Sequence, residues 1–263
     1  MYTKEDILTQ LAAMSAPRDG IVLMHISLRA VGSISGGAEA LLDALIEYFT
    51  AEGGLFCVPT HTWEDLDAPV TLDMAGTTSC LGAFSVVALR DKRGIRSENP
   101  THSMMVFGDR AKAEEFIRND AFVTTPTAPE SCYGKLTHVL LVGVAQNRNT
   151  YLHCVDEMLA TPNRMDKKPL MTAVRRLSGQ VVQRPITLYY TDYIDDISYR
   201  FPKYDTAFRY HGCITDGFLG SAPTQLCSAE KMKQVIALIQ RNSGGSDPLA
   251  GEAPIPQAWY CNK

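Results

Sequence analysis

The chain has 263 residues, 45% hydrophobic and 21% charged, enough apolar material for a substantial core in one large domain or two small ones. A net charge of −4 argues against nucleic acid as the main partner, since phosphate binding needs a basic face, and favours a neutral or cationic small molecule. The seven cysteines (Cys57, Cys80, Cys132, Cys154, Cys213, Cys227 and Cys261) are odd in number and never spaced CxxC, which argues against a disulfide framework or a cysteine-rich zinc site and predicts reduced thiols in a cytoplasm.

Residues 1–14 alternate charged and apolar side chains at helical spacing and lack a signal-peptide core. No later run is long enough to cross a bilayer, so neither export nor membrane insertion is expected. Short apolar runs at 21–24, 55–58, 139–144 and 186–190 predict strands covered on both faces. Between them, Leu41, Leu42, Leu45, Ile46 and Phe49 make the stripe of a helix over 38–50, and Met232, Val235, Ile236 and Ile239 that of a helix over 229–240. Shorter helices are expected at 81–89 and 109–119, with long loops at 61–80 and 120–135. This alternation predicts a layered α/β/α sheet in a single domain, and the Gly- and Pro-rich stretch 243–256 reads as an irregular peripheral tail.

Three segments could carry chemistry. In the first, the strand at 139–144 runs into a helix holding His153, Asp156 three residues on and Glu157 four on. Both spacings share one helix face, so either carboxylate could hold the imidazole by one nitrogen while the other takes a proton, the layout of a general base; the spacing alone suits equally a histidine that caps or packs at the helix start with the acids turned to solvent. In open α/β sheets, working residues gather beyond the carboxyl ends of strands, where this helix would lie. In the second, Gly36 and Gly37 precede a periodic helix whose free N–H groups would favour an anion, with Ser27, Ser33 and Ser35 as further donors. The same pair also suits a plain tight turn, and it matches neither a P-loop nor GxGxxG. The third, 93–108, packs Arg96, Ser97, Asn99, Thr101, His102 and Ser103 around a proline; ligand contact and a network of turn hydrogen bonds fit it about equally. His61, His102 and His153 stand at no recognised ligand spacing, so no metal is expected.

Taken in order, these segments resemble the aminoglycoside 3-N-acetyltransferase family (antibiotic N-acetyltransferases) over about 21–239. The resemblance rests on His25, Ser27, Leu28 and Gly36 to Glu39; on Pro59, Thr60 and Trp63; on Gly82 and Ala83; on Arg96, Ser97 and the run from Asn99 to Ser103; and on Asn149, Thr150, Leu152 and His153 with an acid three residues later. Two positions depart from the family pattern: Asp156 stands where Glu is usual, and Ile26 where serine is frequent.

The resemblance implies acetyl-CoA-dependent transfer of an acetyl group to an amine, on a layered α/β fold distinct from the GNAT acetyltransferases. It puts the CoA pyrophosphate at the 27–37 turn, with His25, Ser27, Leu28, Arg29, Ser33, Ser35 and Gly36 around the cofactor and Arg96, Ser97, Thr101, His102 and Ser103 as further contacts. The acceptor would be the 3-amino group of a polycationic aminoglycoside, for which Thr60, Trp63 and two acidic runs, Glu64, Asp65 and Asp67 and then Asp192, Asp195 and Asp196, are available, although charge runs of this kind more often form plain solvated surface.

A protonated alkyl amine cannot attack a thioester, so the reaction needs a base, here His153, its imidazolium stabilised by Asp156 or Glu157. Backbone N–H groups or the hydroxyl of Thr60 or Ser103 would meet the oxyanion. Adjacent residues on a helix point ~100° apart, which sets Cys154 outside that pocket and disfavours an acetyl-cysteine route. Other readings are the same chemistry on another amine, or a CoA-binding protein without catalysis; a hydrolase lacks a GxSxG elbow. The expected protein is a cytoplasmic monomer or homodimer.

Overall fold

The computed structural model describes residues 1–63, 69–166 and 169–261. Its strands in chain order are β1 (Ile21–Ile26), β2 (Leu55–Pro59), β3 (Val70–Asp73), β4 (Ile95–Arg96), β5 (Met104–Phe107), β6 (His138–Val142), β7 (Met165–Asp166), β8 (Leu170–Arg175), β9 (Val181–Ile186), β10 (Tyr189–Tyr190), β11 (Ile214–Leu219) and β12 (Ala222–Ser228). The helices are α1 (Lys4–Ala13), α2 (Leu28–Val31), α3 (Gly37–Thr50), α4 (Ala83–Arg90), α5 (Arg110–Ile117), α6 (Tyr151–Met158), α7 (Asp205–Tyr210) and α8 (Ala229–Asn242).

Seven strands form one sheet in the order β11-β12-β6-β1-β2-β5-β4. Its centre is parallel, β1 lying between β6 and β2, and the flanking pairs are antiparallel. Side chains alternate across a strand. Leu23, Val139 and Leu141 therefore enter a core with α5, α6, α7 and α8, while Val22, Met24, Leu140 and Val142 enter a second core with α1, α3 and α4. Apolar demand on both faces explains why the central strands read as unbroken hydrophobic runs, and the result is the expected α/β/α sandwich.

The stripe Leu41, Leu42, Leu45 and Phe49 of α3 is buried, as is Met232, Val235, Ile236 and Ile239 of α8, which Ser228 caps by accepting from the Lys231 N–H. Several expectations are corrected. The run at 139–144 ends as a strand at Val142, because Gly143 turns the chain with φ +63°. The run at 186–190 divides between β9 and β10, and the loop at 61–80 contains β3, which pairs with β8. The loop at 120–135 contains a 3₁₀ turn, Tyr133–Lys135. Strands β3, β8 and β9 make a small separate sheet, and Glu98 accepts from Arg176 and Arg184 to tie it to the 93–108 segment. The tail over 243–256 is not peripheral: Leu249 and Ile255 are buried in the α6-side core, as is Tyr260 beyond them.

Gly143 fixes the end of β6. A Cβ there would lie 2.4 Å from the Ala30 Cβ of α2, whereas at Gly53, with φ +82°, it would meet nothing within 4 Å among the described residues. In urea unfolding, Gly53→Ala should cost about 1–2 kcal/mol from backbone strain alone, and Gly143→Ala a further ~1–3 kcal/mol from overpacking. Equal losses would show that contact with α2 does not set this turn.

Candidate functional site

A cavity of about 600 Å³ lies beyond the carboxyl ends of the parallel strands, lined in part by His25, His61, His102 and His153. The sheet's period of two brings His25 to the face that Leu23 occupies two residues earlier. After β6, the turn Gln146–Arg148 leads into α6. Asn149 Nδ2 donates to Gln146 Oε1 at 2.8 Å, and Gln146 Nε2 donates to Gln225 Oε1 on β12 at 3.2 Å, which pins the start of the helix to the sheet. Helix α6 buries Tyr151, Leu152, Cys154 and Val155, leaving His153 on the cavity side with its ring edge-on to Phe201, centroids 4.9 Å apart.

Neither acid holds His153 in the way the spacing predicts. Asp156 Oδ2 accepts from Arg164 Nε at 2.8 Å, and Glu157 accepts from Thr125 Oγ1 at 2.5 Å and Thr127 Oγ1 at 2.8 Å. Among the described residues the His153 side chain has no hydrogen-bond partner. The buried guanidinium makes a charge-assisted bond that a neutral imidazole cannot match. Asp156 still lines the cavity and acts on His153 through its charge. Burial draws the imidazole below its ordinary range, Asp156 and Asp196 oppose that, and Arg164 adds to it. Burial raises the Glu157 carboxyl despite the two threonines.

His61 stands in a directional chain that sequence reasoning missed. Trp63 Nε1–H donates to His61 Nδ1 at 2.9 Å, so the ring proton sits on Nε2, which donates to Tyr133 Oη at 2.8 Å. Tyr133 in turn donates to the His102 carbonyl at 3.1 Å. His61 is thereby fixed as one neutral tautomer, its basicity lowered by burial first and by the neighbouring histidines second. Its ring lies 4.4 Å from that of His102, on which Trp63 stacks. Burial also takes His25 and His102 down to about 3, and His25 Nε2 is buried without a partner among the described residues. The available signal was position, because His61 falls between Thr60 and Trp63, two residues past β2.

The other predicted residues divide sharply. Thr60, Ser97, Thr101 and Ser103 are fully buried and do not line the cavity. Ser103 Oγ donates to the Thr60 carbonyl, and Arg96 donates to Ser103 Oγ and to the carbonyls of Thr60 and Thr77, its guanidinium drawn down to about 10 by burial. Asn99 Oδ1 accepts from the N–H groups of Thr101 and His102. The 93–108 segment is thus a turn network that presents His102, the one of its cofactor candidates that reaches the cavity. Ser27 caps α2 through the Ala30 N–H. Ser33, Ser35 and Gly36 are exposed on a separate turn bridged by Tyr2, with Arg29 exposed and Leu28 half-buried on α2 nearby. Trp63, Asp195 and Asp196 line the cavity; Asp192 is exposed and does not. Glu64, Asp65 and Asp67 lie outside the described residues. Arg164, Tyr189 and Tyr190, unmarked by any sequence pattern, also line the cavity.

A family model described as aminoglycoside 3-N-acetyltransferase matches residues 23–239. The chain is 28% identical to aminoglycoside N(3)-acetyltransferase IV of Salmonella sp. over 166 residues, 61% of each chain. It spans about three fifths of the length of the curated relatives it matches. In fold it is similar to AAC-IIIb in binary complex with CoASH, with TM-score 0.79 and 19% identity over 94% of this chain and 98% of that one. It is also similar to a mutant of aminoglycoside acetyltransferase AAC(3)-IVa in complex with apramycin, with TM-score 0.74 and 24% identity over 96% and 98% of the two chains. Because the family match runs through every cavity-lining strand end and through α6, this chain belongs to the aminoglycoside 3-N-acetyltransferase family.

Proposed function

We propose that this chain is an acetyl-CoA-dependent N-acetyltransferase that acetylates the 3-amino group of an aminoglycoside by direct attack, with His153 as general base, in the cytoplasm. The observation that carries this reading is His153 itself, a cavity-lining imidazole kept neutral by burial and holding no side-chain hydrogen bond among the described residues. The family membership supports it, as do relatives described with CoASH and with apramycin.

Acetyl-CoA, when bound, supplies the acyl group. The 33–37 turn fits its pyrophosphate: Gly36 and Gly37 are exposed with positive φ and open a fourteen-residue helix, and Arg29 adds a cation close by. His153 takes the amine proton as the C–N bond forms, the charges of Asp156 and Asp196 stabilise the imidazolium without a hydrogen bond to it, and the proton would pass from it to the CoA sulfur that leaves as the C–S bond breaks. Thr60 and Ser103 are sequestered, so the oxyanion would be met by backbone N–H groups or by donors that line the cavity, such as Asn147 and Thr150. Asp195 and Asp196 attract a polycationic acceptor, and Trp63 stacked on His102 gives it a wall held in place by His61 and Tyr133. Cys154 takes no part, because it is buried with its thiol bonded toward the Ala128 carbonyl and made less acidic by burial.

With acetyl-CoA and a panel of aminoglycosides, His153→Ala should lower kcat roughly 10²–10⁴-fold while CoA binding is retained, and Cys154→Ser should stay within about twofold of wild type. An unchanged rate in His153→Ala would remove the base assignment. Since the imidazole must be neutral and burial lowers its basicity, the acid limb of kcat/KM attributable to it should fall below the ordinary histidine range; a limb above that range would contradict the burial argument. Tyr133→Phe leaves the buried His61 Nε2–H without an acceptor, which should cost ~1–3 kcal/mol in denaturant unfolding and raise the acceptor KM more than it lowers kcat.

A further inference from the structure

Arg164 belongs to a buried charge cluster that reaches from the cavity wall into the C-terminal tail. Its Nε donates to Asp156 Oδ2 at 2.8 Å, and its Nη1 donates to Asp247 Oδ2 at 2.9 Å and to the Pro162 carbonyl at 3.2 Å. Tyr193 Oη donates to the same Asp247 oxygen at 2.6 Å, and Asp247 Oδ1 accepts from the Leu249 N–H at 2.9 Å. The side chains of Arg164, Asp156 and Asp247 are 8%, 6% and 0% exposed. A planar guanidinium binds two carboxylates in two fixed directions, a geometry that an ammonium cannot reproduce. Asp247 lies beyond residues 23–239, the span matched by the family model.

We propose that Arg164, anchored from the tail by Asp247 and Tyr193, is a positioning residue that holds Asp156 by one carboxylate oxygen, so that the acid bears on His153 through its charge from a fixed place and does not turn to bond the ring. This rests on the reading of His153 as the base. The charged and titratable groups around His153 are Asp156 and Glu157 on α6, Arg164 beyond it, Asp195 and Asp196 before the 3₁₀ segment Ile197–Tyr204, Arg148 before α6, and the His25, His61 and His102 rings; Tyr189 and Tyr190 stand at the same cavity. Asp156 and Asp196 favour the imidazolium and Arg164 opposes it, so the two arms of the cluster carry opposite signs. Taking away Arg164's charge also frees Asp156 to turn toward the ring, whereas taking away Asp247's charge leaves Arg164 less compensated and more strongly opposed to a second positive charge.

The test measures the titration of His153 by NMR of ring-labelled histidine, assigned with His153→Ala, alongside kcat, KM and the acid limb of kcat/KM for acetyl transfer. Arg164→Gln should raise the His153 titration by about one pH unit and lower kcat more than it raises KM. Asp247→Asn should move the titration the opposite way, and Arg164→Lys should not restore kcat. Removing one partner of a buried pair strands the other, so thermal melts accompany each variant. The double variant Arg164→Gln/Asp247→Asn, which leaves net charge unchanged and strands no buried charge of that pair, provides the comparison: its melt should lie nearer wild type than those of the single variants, with a titration near wild type while kcat stays low. A His153 titration unmoved in both single variants, or full activity in the double variant, overturns the proposal. Full activity in His153→Ala would instead defeat the base reading, and the NMR titration, which needs no turnover, would still report on Arg164.

Discussion

An imidazole serves as a base near neutral pH only while one of its ring nitrogens carries no proton, and burial beside the carboxyl edge of the parallel strands favours that neutral form at His153. Four histidines stand at the carboxyl edge of the parallel strands, all with lowered basicity from burial. The carboxylates that could hold His153 by a hydrogen bond are bound elsewhere, Asp156 by Arg164 and Glu157 by Thr125 and Thr127. His61 is fixed in one neutral tautomer by a donor on one nitrogen and an acceptor on the other. Negative charge reaches His153 from Asp156 and Asp196.

The surrounding architecture supplies the rigidity this needs. The parallel strands β1, β2 and β6 put His25, His61 and the start of α6 at one edge, and two apolar cores hold the sheet from both faces. A second layer of buried hydrogen bonds, from Arg96, Asn99 and Ser103 to the carbonyls and amides around Thr60 and His102, fixes the loops that carry the histidines. The tail closes the other side, where Asp247 is bound to Arg164.

The elements driven by periodic burial were legible in the sequence, and those set by distant partners were not. Helices α3 and α8 and the central strands announce themselves because an apolar stripe or run is dictated by the core it enters. Strands β8 and β9 carry alternating polar residues and Pro185, and they form a small one-sided sheet whose partner β3 lies about a hundred residues away in the chain. The site shows the same division. His153 and its acids were visible as a helix-face spacing, but spacing says nothing of Arg164, whose claim on Asp156 comes from outside the helix. The polar density around Arg96, Ser97 and Ser103 fits ligand contact and a turn network about equally in the sequence, the resemblance implies the first, and in the fold these side chains build the network beneath the cavity. His61 was passed over because its role depends on Tyr133, far along the chain.

The most direct test of the account is a crystal structure of the protein with CoA and an aminoglycoside both bound. The account predicts an imidazole nitrogen of His153 within roughly 2.6–3.2 Å of the 3-amino nitrogen, with Asp156 still bonded to Arg164. An acceptor amine seated away from His153, or Asp156 turned to hydrogen-bond the ring, would contradict it.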